Sequence, residues 1–300
     1  MNTPRSTTLV QVFLFFQRWV SILVRLENVV RDEVLCAWVS PEKRSEVNRY
    51  IYSKNHHYLP GGFYFNCGLF DWEREAVSGP HFPKEGRIFL GAAGGGRELN
   101  SLLELGFTVL AIEPCERLAD QARKIAEPFG SSVKTASYED LITAVERKTG
   151  PLACKELERP FDAVVLGWGS LSYLLQLTDR QALLRCARIL CPKGPILMSY
   201  LSTPLNPIGK IERLRPYLRK FFSWMGAPAT VNENDAFVPG GGFQHLFAPE
   251  EIQNLAEHAD YETVFGTVSP YPHVILKPKK TAVAYSEAEG FASSVDAVSV

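Results

Sequence analysis

Gly86-Arg87-Ile88-Phe89-Leu90-Gly91-Ala92-Ala93-Gly94-Gly95-Gly96-Arg97-Glu98-Leu99 is the stretch that decides the fold. Its apolar run breaks into glycines and alanines and then into a helical pattern, which predicts a buried strand, a tight turn and the amino end of a helix. Glycine carries no Cβ, so Gly94 to Gly96 can take positive φ and bring backbone close to a ligand, while the helix terminus offers unpaired N–H groups. Residues 107–112 give a second buried strand that ends in Glu113-Pro114. Glu113 lies 17 residues beyond Gly96 (113 − 96), about where an acidic side chain at a strand end holds the two hydroxyls of a ribose.

Outward from that stretch, strand and helix alternate. The pattern predicts strands at 87–91, 107–112, 132–135, 161–167 and 195–201, with helices at 95–105, 116–127, 138–147 and 178–190 and a surface insertion near 149–159. Thr178-Asp179-Arg180-Gln181 has the spacing of a capping box and predicts the start of the last of these helices. Such alternation implies a doubly wound α/β sheet with helices on both faces. Ala248-Pro249-Glu250 opens a further helix, and strands at 261–267 and 273–277 are joined by so short a turn that they must be antiparallel.

The glycine turn, the acidic strand end and the order of the later elements resemble the class I S-adenosylmethionine-dependent methyltransferases over roughly residues 86 to 278. On that family's acidic-x-Gly-x-Gly-x-Gly motif the match is Leu90-Gly91-Ala92-Ala93-Gly94-Gly95-Gly96, with Leu90 at the acidic position and Ala92 at the first glycine. The resemblance implies a Rossmann-like seven-stranded sheet ending in an antiparallel hairpin, S-adenosyl-L-methionine as cofactor and methyl transfer to a small-molecule acceptor. It places Gly91, Ala92, Gly94, Gly95 and Gly96 at the cofactor, Glu113 and Pro114 at the ribose, Glu139 and Asp140 at the adenine, and Gly167 and Trp168 beside the transferable methyl group. Segments ahead of the first strand often form a lid in this family. His57, Tyr58 and Tyr64 are therefore candidate substrate residues, with Trp168, Tyr200 and His245. A hydroxyl acceptor needs its proton removed, and an imidazole with a pKa of about 6.5 suits that, so His245 is the candidate base ahead of His56, His57 and Tyr200.

Two other functions fit parts of the sequence. Gly91-x-Ala93-x-x-Gly96 matches a loosened G-x-G-x-x-G fingerprint, which would make the chain an NAD(P)-dependent oxidoreductase, although the closing hairpin differs from a fully parallel dinucleotide domain. Leu90, Ala92 and an apolar amino-terminal helix would suit a non-catalytic cofactor-binding scaffold.

Composition sets the bounds. The 300 residues are 46% hydrophobic and 11% aromatic, enough for a large core, and a formal net charge of −1 gives no general attraction to nucleic acid. The six cysteines show no C-x-x-C and no metal spacing, which predicts buried reduced thiols in a cytoplasmic protein and no metal site. Residues 1–85 form a helical lead-in or lid, 86–280 the methyltransferase domain, and 281–300 a disordered tail. Within the domain, 202–247 is an insertion expected to form part of the substrate pocket. Its helix over 208–223, broken at Pro216, carries Lys210, Arg213, Arg215, Arg219 and Lys220 as a solvated basic face, and Gly240 to Gly242 suggest a loop that closes on ligand. Residues 8–36 predict an amphipathic helix, interrupted by Gln17-Arg18 and hence not spanning a bilayer. It packs on the domain or pairs chains as a homodimer, and its apolar character is also of the kind that lies at a membrane surface.

Overall fold

The computed structural model describes residues 8–203, 211–229, 231–266 and 271–279. Lys210, the turn residues Ser269 and Pro270, and the predicted tail at 281–300 lie outside the described residues.

Four helices precede the sheet: α1 (Thr8–Trp38), α2 (Pro41–Lys54), α3 (Phe63–Asn66) and α4 (Asp71–Ser78). The α1–α2 corner is closed by buried Arg44, whose Nε donates to the Val39 carbonyl (3.1 Å) and whose Nη2 donates to the Cys36 carbonyl (2.6 Å). These are carbonyls that the end of a helix leaves without partners.

The alternating region follows as β1 (Arg87–Gly91), α5 (Arg97–Glu104), β2 (Thr108–Glu113), α6 (Glu116–Ala126), β3 (Ser132–Thr135), α7 (Tyr138–Arg147), β4 (Ala163–Leu166), α8 (Leu177–Leu190) and β5 (Ile196–Ser199). Next come α9 (Arg215–Trp224), a hairpin of β6 (Asp235–Val238) and β7 (Gly242–His245), α10 (Pro249–His258), β8 (Tyr261–Phe265) and β9 (His273–Pro278). The seven-stranded sheet has the order β3-β2-β1-β4-β5-β9-β8. Its first five strands are parallel, and β9 runs antiparallel to both β5 and β8. This is the doubly wound sheet with a closing antiparallel pair that the pattern predicts.

Helices cover both faces, so the central strands are buried on both sides and read as continuous apolar runs. Ile88, Phe89 and Leu90 of β1 are fully buried, Phe89 in the core on one face and Ile88 and Leu90 in the core on the other. Each contributes on the order of 1.5–3 kcal/mol of hydrophobic stabilisation. Ile88 pairs with Val109 on one side and Ala163 on the other, which brings the carboxyl ends of β1, β2 and β4 to one edge.

Three local expectations are corrected. The capping box forms at Ser137 and Asp140 on α7, with Ser137 Oγ accepting from the Asp140 N–H (3.2 Å) and Asp140 Oδ2 accepting from the Ser137 N–H (2.8 Å). At α8 the first helical residue is Leu177, so Thr178 is already inside the first turn and Gln176 takes the cap position without a side-chain bond. Pro216 does not break a helix; it sits in the first turn of α9, where its missing N–H costs nothing. The predicted solvated basic face is also divided: Arg215 and Arg219 turn inward to buried Glu33 on α1, at 2.7 and 2.6 Å, and Arg215 also meets Asp32.

The amino-terminal helix departs most from expectation. Only its last third is packed, with Val29, Asp32, Glu33, Cys36 and Ala37 buried. Leu9, Phe16 and Trp19 are 81%, 66% and 51% exposed. By length and composition alone α1 is long and apolar enough to cross a membrane.

Candidate functional site

A cavity of about 650 Å³ opens at the carboxyl ends of β1, β2 and β4. This is where open α/β sheets hold their ligands. Its floor is Ala92, Ala93, Gly94 and Gly95; one wall is Glu113, Pro114 and Cys115 after β2; a second is Ala136 to Asp140 at the start of α7. Trp168, Ser170 and Tyr173 after β4 form the third, and one face of α2 closes the top.

The turn is built from backbone that only small residues permit. Gly94 has φ +57°, and a Cβ placed there meets no atom within 4 Å, so the peptide presents a bare face to the cavity. Ala92, at the position of the motif's first glycine, takes φ +53° with a side chain in place. At Gly95 a Cβ would lie 2.0 Å from the Tyr58 carbonyl oxygen, so this glycine admits the loop before α3 as well as lining the cavity. Gly91, Gly96 and Gly167 do not line it. Their missing Cβ atoms make room for the Tyr138 ring, for Ile125 of α6 and for the Ala92 carbonyl respectively.

Glu113 is buried at the end of β2. Its Oε2 accepts from the Gly94 N–H (2.8 Å) and its Oε1 from the Cys115 N–H (2.9 Å), tying the acidic strand end to the glycine turn. Burial pushes the carboxyl up to about 7, against the pull of the two N–H donors. Asp140 lines the cavity, but one of its oxygens is held in the α7 capping box, whereas Glu139 beside it is exposed and makes no such bond.

Trp168 lines the cavity with Tyr64, Phe70 and Tyr271 packed edge-on around it, each with ring centroids 5.1 Å away. The Trp168 backbone N–H donates to Glu98 Oε1 (3.2 Å), and the same oxygen accepts from Arg97 (2.6 Å). Arg97 also makes two bonds to Glu73, at 2.6 and 2.7 Å, and lies over the Phe70 ring. Two carboxyl groups thus share one guanidinium beneath the cavity. Burial raises the Glu73 carboxyl, and the Glu98 charge adds to the rise.

Of the other predicted residues, Tyr58 lines the cavity; Tyr64 does not but packs on Trp168, exposed His57 packs on Tyr64, and Tyr200 is buried against Phe247. His245 is not brought to the cavity. It is buried between two carboxylates, Nδ1 at 2.8 Å from Asp235 Oδ1 and Nε2 at 2.9 Å from Glu251 Oε1, with no ring nitrogen left to accept a substrate proton. Among its described residues the 202–247 segment contributes no lining residue; the Gly240–Gly242 stretch is a hairpin turn, and β7 supports the site from outside. Asn48 of α2 exchanges two hydrogen bonds with the Phe243 backbone, and Gln244 donates to the Tyr173 hydroxyl (2.8 Å).

Sequence reasoning missed Glu98 and the α2 face. Glu98 was legible only as a helix-start acid. On α2, Pro41, Ser45, Asn48, Arg49 and Tyr52 recur at helical spacing and all line the cavity, a signal present in the sequence but masked by its polar composition. Among the described residues no group of histidine, cysteine and acidic side chains is arranged to hold a metal ion, and all six cysteines are free.

Sheet order defines a Rossmann-like fold of the class I methyltransferase type, with an acid-lined cavity at the carboxyl ends of its parallel strands. No protein-family model and no curated protein matches the sequence. A crystal structure of a protein from Pyrococcus horikoshii OT3 superposes with a TM-score of 0.53 at 15% identity, covering 77% of this chain and 99% of that one. An S-adenosylmethionine-bound amino pentose methyltransferase of Micromonospora echinaspora gives 0.47 at 13% identity, covering 77% of this chain and 94% of that one. The Burkholderia thailandensis 1,6-didemethyltoxoflavin N1-methyltransferase gives 0.46 at 13% identity, covering 93% and 94%.

Proposed function

We propose that this chain is an S-adenosyl-L-methionine-dependent methyltransferase acting on a nitrogen or oxygen of a small-molecule acceptor. The observation that carries the reading is the bond from Gly94 N–H to Glu113, which sets an acidic group and a bare glycine turn on the same cavity at the switch point of the sheet. The cavity fits the cofactor in chemistry: S-adenosylmethionine carries an ammonium, a sulfonium and a carboxylate, and the lining offers Glu42, Glu98, Glu113, Glu139, Asp140 and Asp179 against Arg49 and Arg97. Glu113 would accept from the ribose hydroxyls, Gly94 would let the cofactor lie against backbone, and Glu139 and Asp140 would face the adenine.

The cofactor supplies a methyl group already activated toward displacement. The residues of this chain bind, align the acceptor on the far side of that methyl group and exclude water. Trp168 would border the reacting centre, and an aromatic face favours a cation. Tyr52, Tyr58 and Tyr173 form the acceptor side. Burial raises all three, so they act as neutral hydrogen-bonding groups.

Calorimetric titration with S-adenosylhomocysteine, beside NAD and NADP, tests the reading. Saturable binding of the first alone is expected, and Glu113→Gln should weaken it at least tenfold, about 1.4 kcal/mol, by replacing a charged acceptor with a neutral one. Binding of a dinucleotide instead would overturn the assignment.

A further inference from the structure

Residues 8–26 of α1 carry no acidic side chain, and Arg18 and Arg25 make no ion pair among the described residues. At helical spacing Gln11, Gln17, Arg18, Ser21 and Arg25 fall within an arc of about 120°. Leu9, Val12, Phe13, Phe16, Trp19, Val20 and Leu23 occupy the opposite side, Phe15, Ile22, Val24 and Leu26 flank it, and Val10 and Leu14 interrupt the polar arc; all of these are exposed. This apolar arc is wider than the narrow seam that two pairing helices cover, so a second copy would leave much of it in water.

Length alone would permit spanning, since 19 residues rise about 28 Å, close to the thickness of a bilayer's hydrocarbon core. The placement of charge decides otherwise. Arg18 stands at the middle of the segment, so a spanning helix would hold its guanidinium at the midplane, whereas a helix lying in the surface holds Arg18 and Arg25 among headgroups.

A second face points to the same partner. Leu214 just before α9 and Tyr217, Phe221 and Trp224 on it share one side and are exposed, Trp224 by 81%, with exposed Arg213 and Lys220 beside them. The ion pairs from Arg215 and Arg219 to Glu33 fix α9 to α1. We propose that residues 8–26, together with this face of α9, bind in the plane of an anionic lipid bilayer surface. Aromatic and aliphatic side chains enter the acyl boundary, and the arginines meet anionic headgroups. The charge near zero of the whole chain does not oppose this, because Arg18, Arg25, Arg213 and Lys220 are exposed at these two faces and residues 8–26 carry no acidic side chain.

Sedimentation of the full chain with vesicles of phosphatidylcholine, with and without phosphatidylglycerol, tests the proposal. Binding to the mixed vesicles is expected at least tenfold tighter than to phosphatidylcholine alone. Arg18→Glu with Arg25→Glu should remove about tenfold of that preference, and Phe13→Glu with Phe16→Glu should abolish binding. These positions are exposed, so an unchanged circular dichroism melt is the folding control. Three results would overturn the proposal: no binding with a dimeric mass by light scattering, meaning that α1 pairs chains; resistance to alkaline carbonate extraction, meaning that it spans; or binding indifferent to the Phe13 and Phe16 changes.

Discussion

Ala92 holds φ +53° in a turn where its neighbour Gly94 holds +57° without a side chain. A left-handed conformation costs an L-residue roughly 1–2 kcal/mol, and the family motif has glycine at this position. Ala92→Gly should therefore raise stability by about 1 kcal/mol and the melting temperature by about 2–4 °C, read by thermal denaturation. An unchanged or lower midpoint would mean that the turn does not hold Ala92 in this strained form. The converse applies at Gly95, where an added methyl would meet the Tyr58 carbonyl; there the cost is borne by the loop that roofs the cavity.

At the scale of elements, the β6–β7 hairpin and α10 are joined through His245, with Asp235 on one side and Glu251 on the other, and Arg180 of α8 completes the cluster at 3.2 Å from Glu251. Removing one partner from a buried charged group leaves the rest uncompensated. His245→Leu should cost about 3 kcal/mol in denaturant unfolding while leaving S-adenosylhomocysteine affinity within twofold. Loss of turnover with full stability would instead restore the ring as a base. The same cluster explains what was legible in the sequence. The sheet was readable because β1, β2 and β4 are buried on both faces and their apolar runs admit no other placement. Glu113 was readable because a strand end followed by a tight turn fixes where its carboxylate lies. His245 was misplaced because sequence order put it after the fifth strand, whereas its position depends on a hairpin and on partners 10 and 6 residues away that no local period announces. The α2 face went unseen because its polar composition hid a helical spacing whose target, the cavity, is created by distant strands.

The molecule as a whole keeps its net charge near zero while concentrating buried acids around the cavity, and this gives it a pH dependence that can be signed. The Glu113 carboxyl, raised by burial from 4.5 to about 7, favours the fold in its neutral form. Its contribution is complete below pH 4.5, where the unfolded chain is also protonated, and is lost as pH rises to 7. The difference is about 3 kcal/mol, with the raised Glu73 carboxyl acting in the same direction. The ligand-free protein should therefore melt several degrees lower at pH 8 than at pH 5.5, and Glu113→Gln, which cannot ionise, should flatten part of that slope. Ligand binding runs the opposite way, because ribose hydroxyls donate to the ionised carboxylate. S-Adenosylhomocysteine affinity should rise between pH 6 and pH 8, with proton release detectable by calorimetry in buffers of different ionisation enthalpy. Parallel melting profiles for the wild type and Glu113→Gln across this range would show that the carboxylate at the end of β2 is not held in the buried state that links the glycine turn to the cavity.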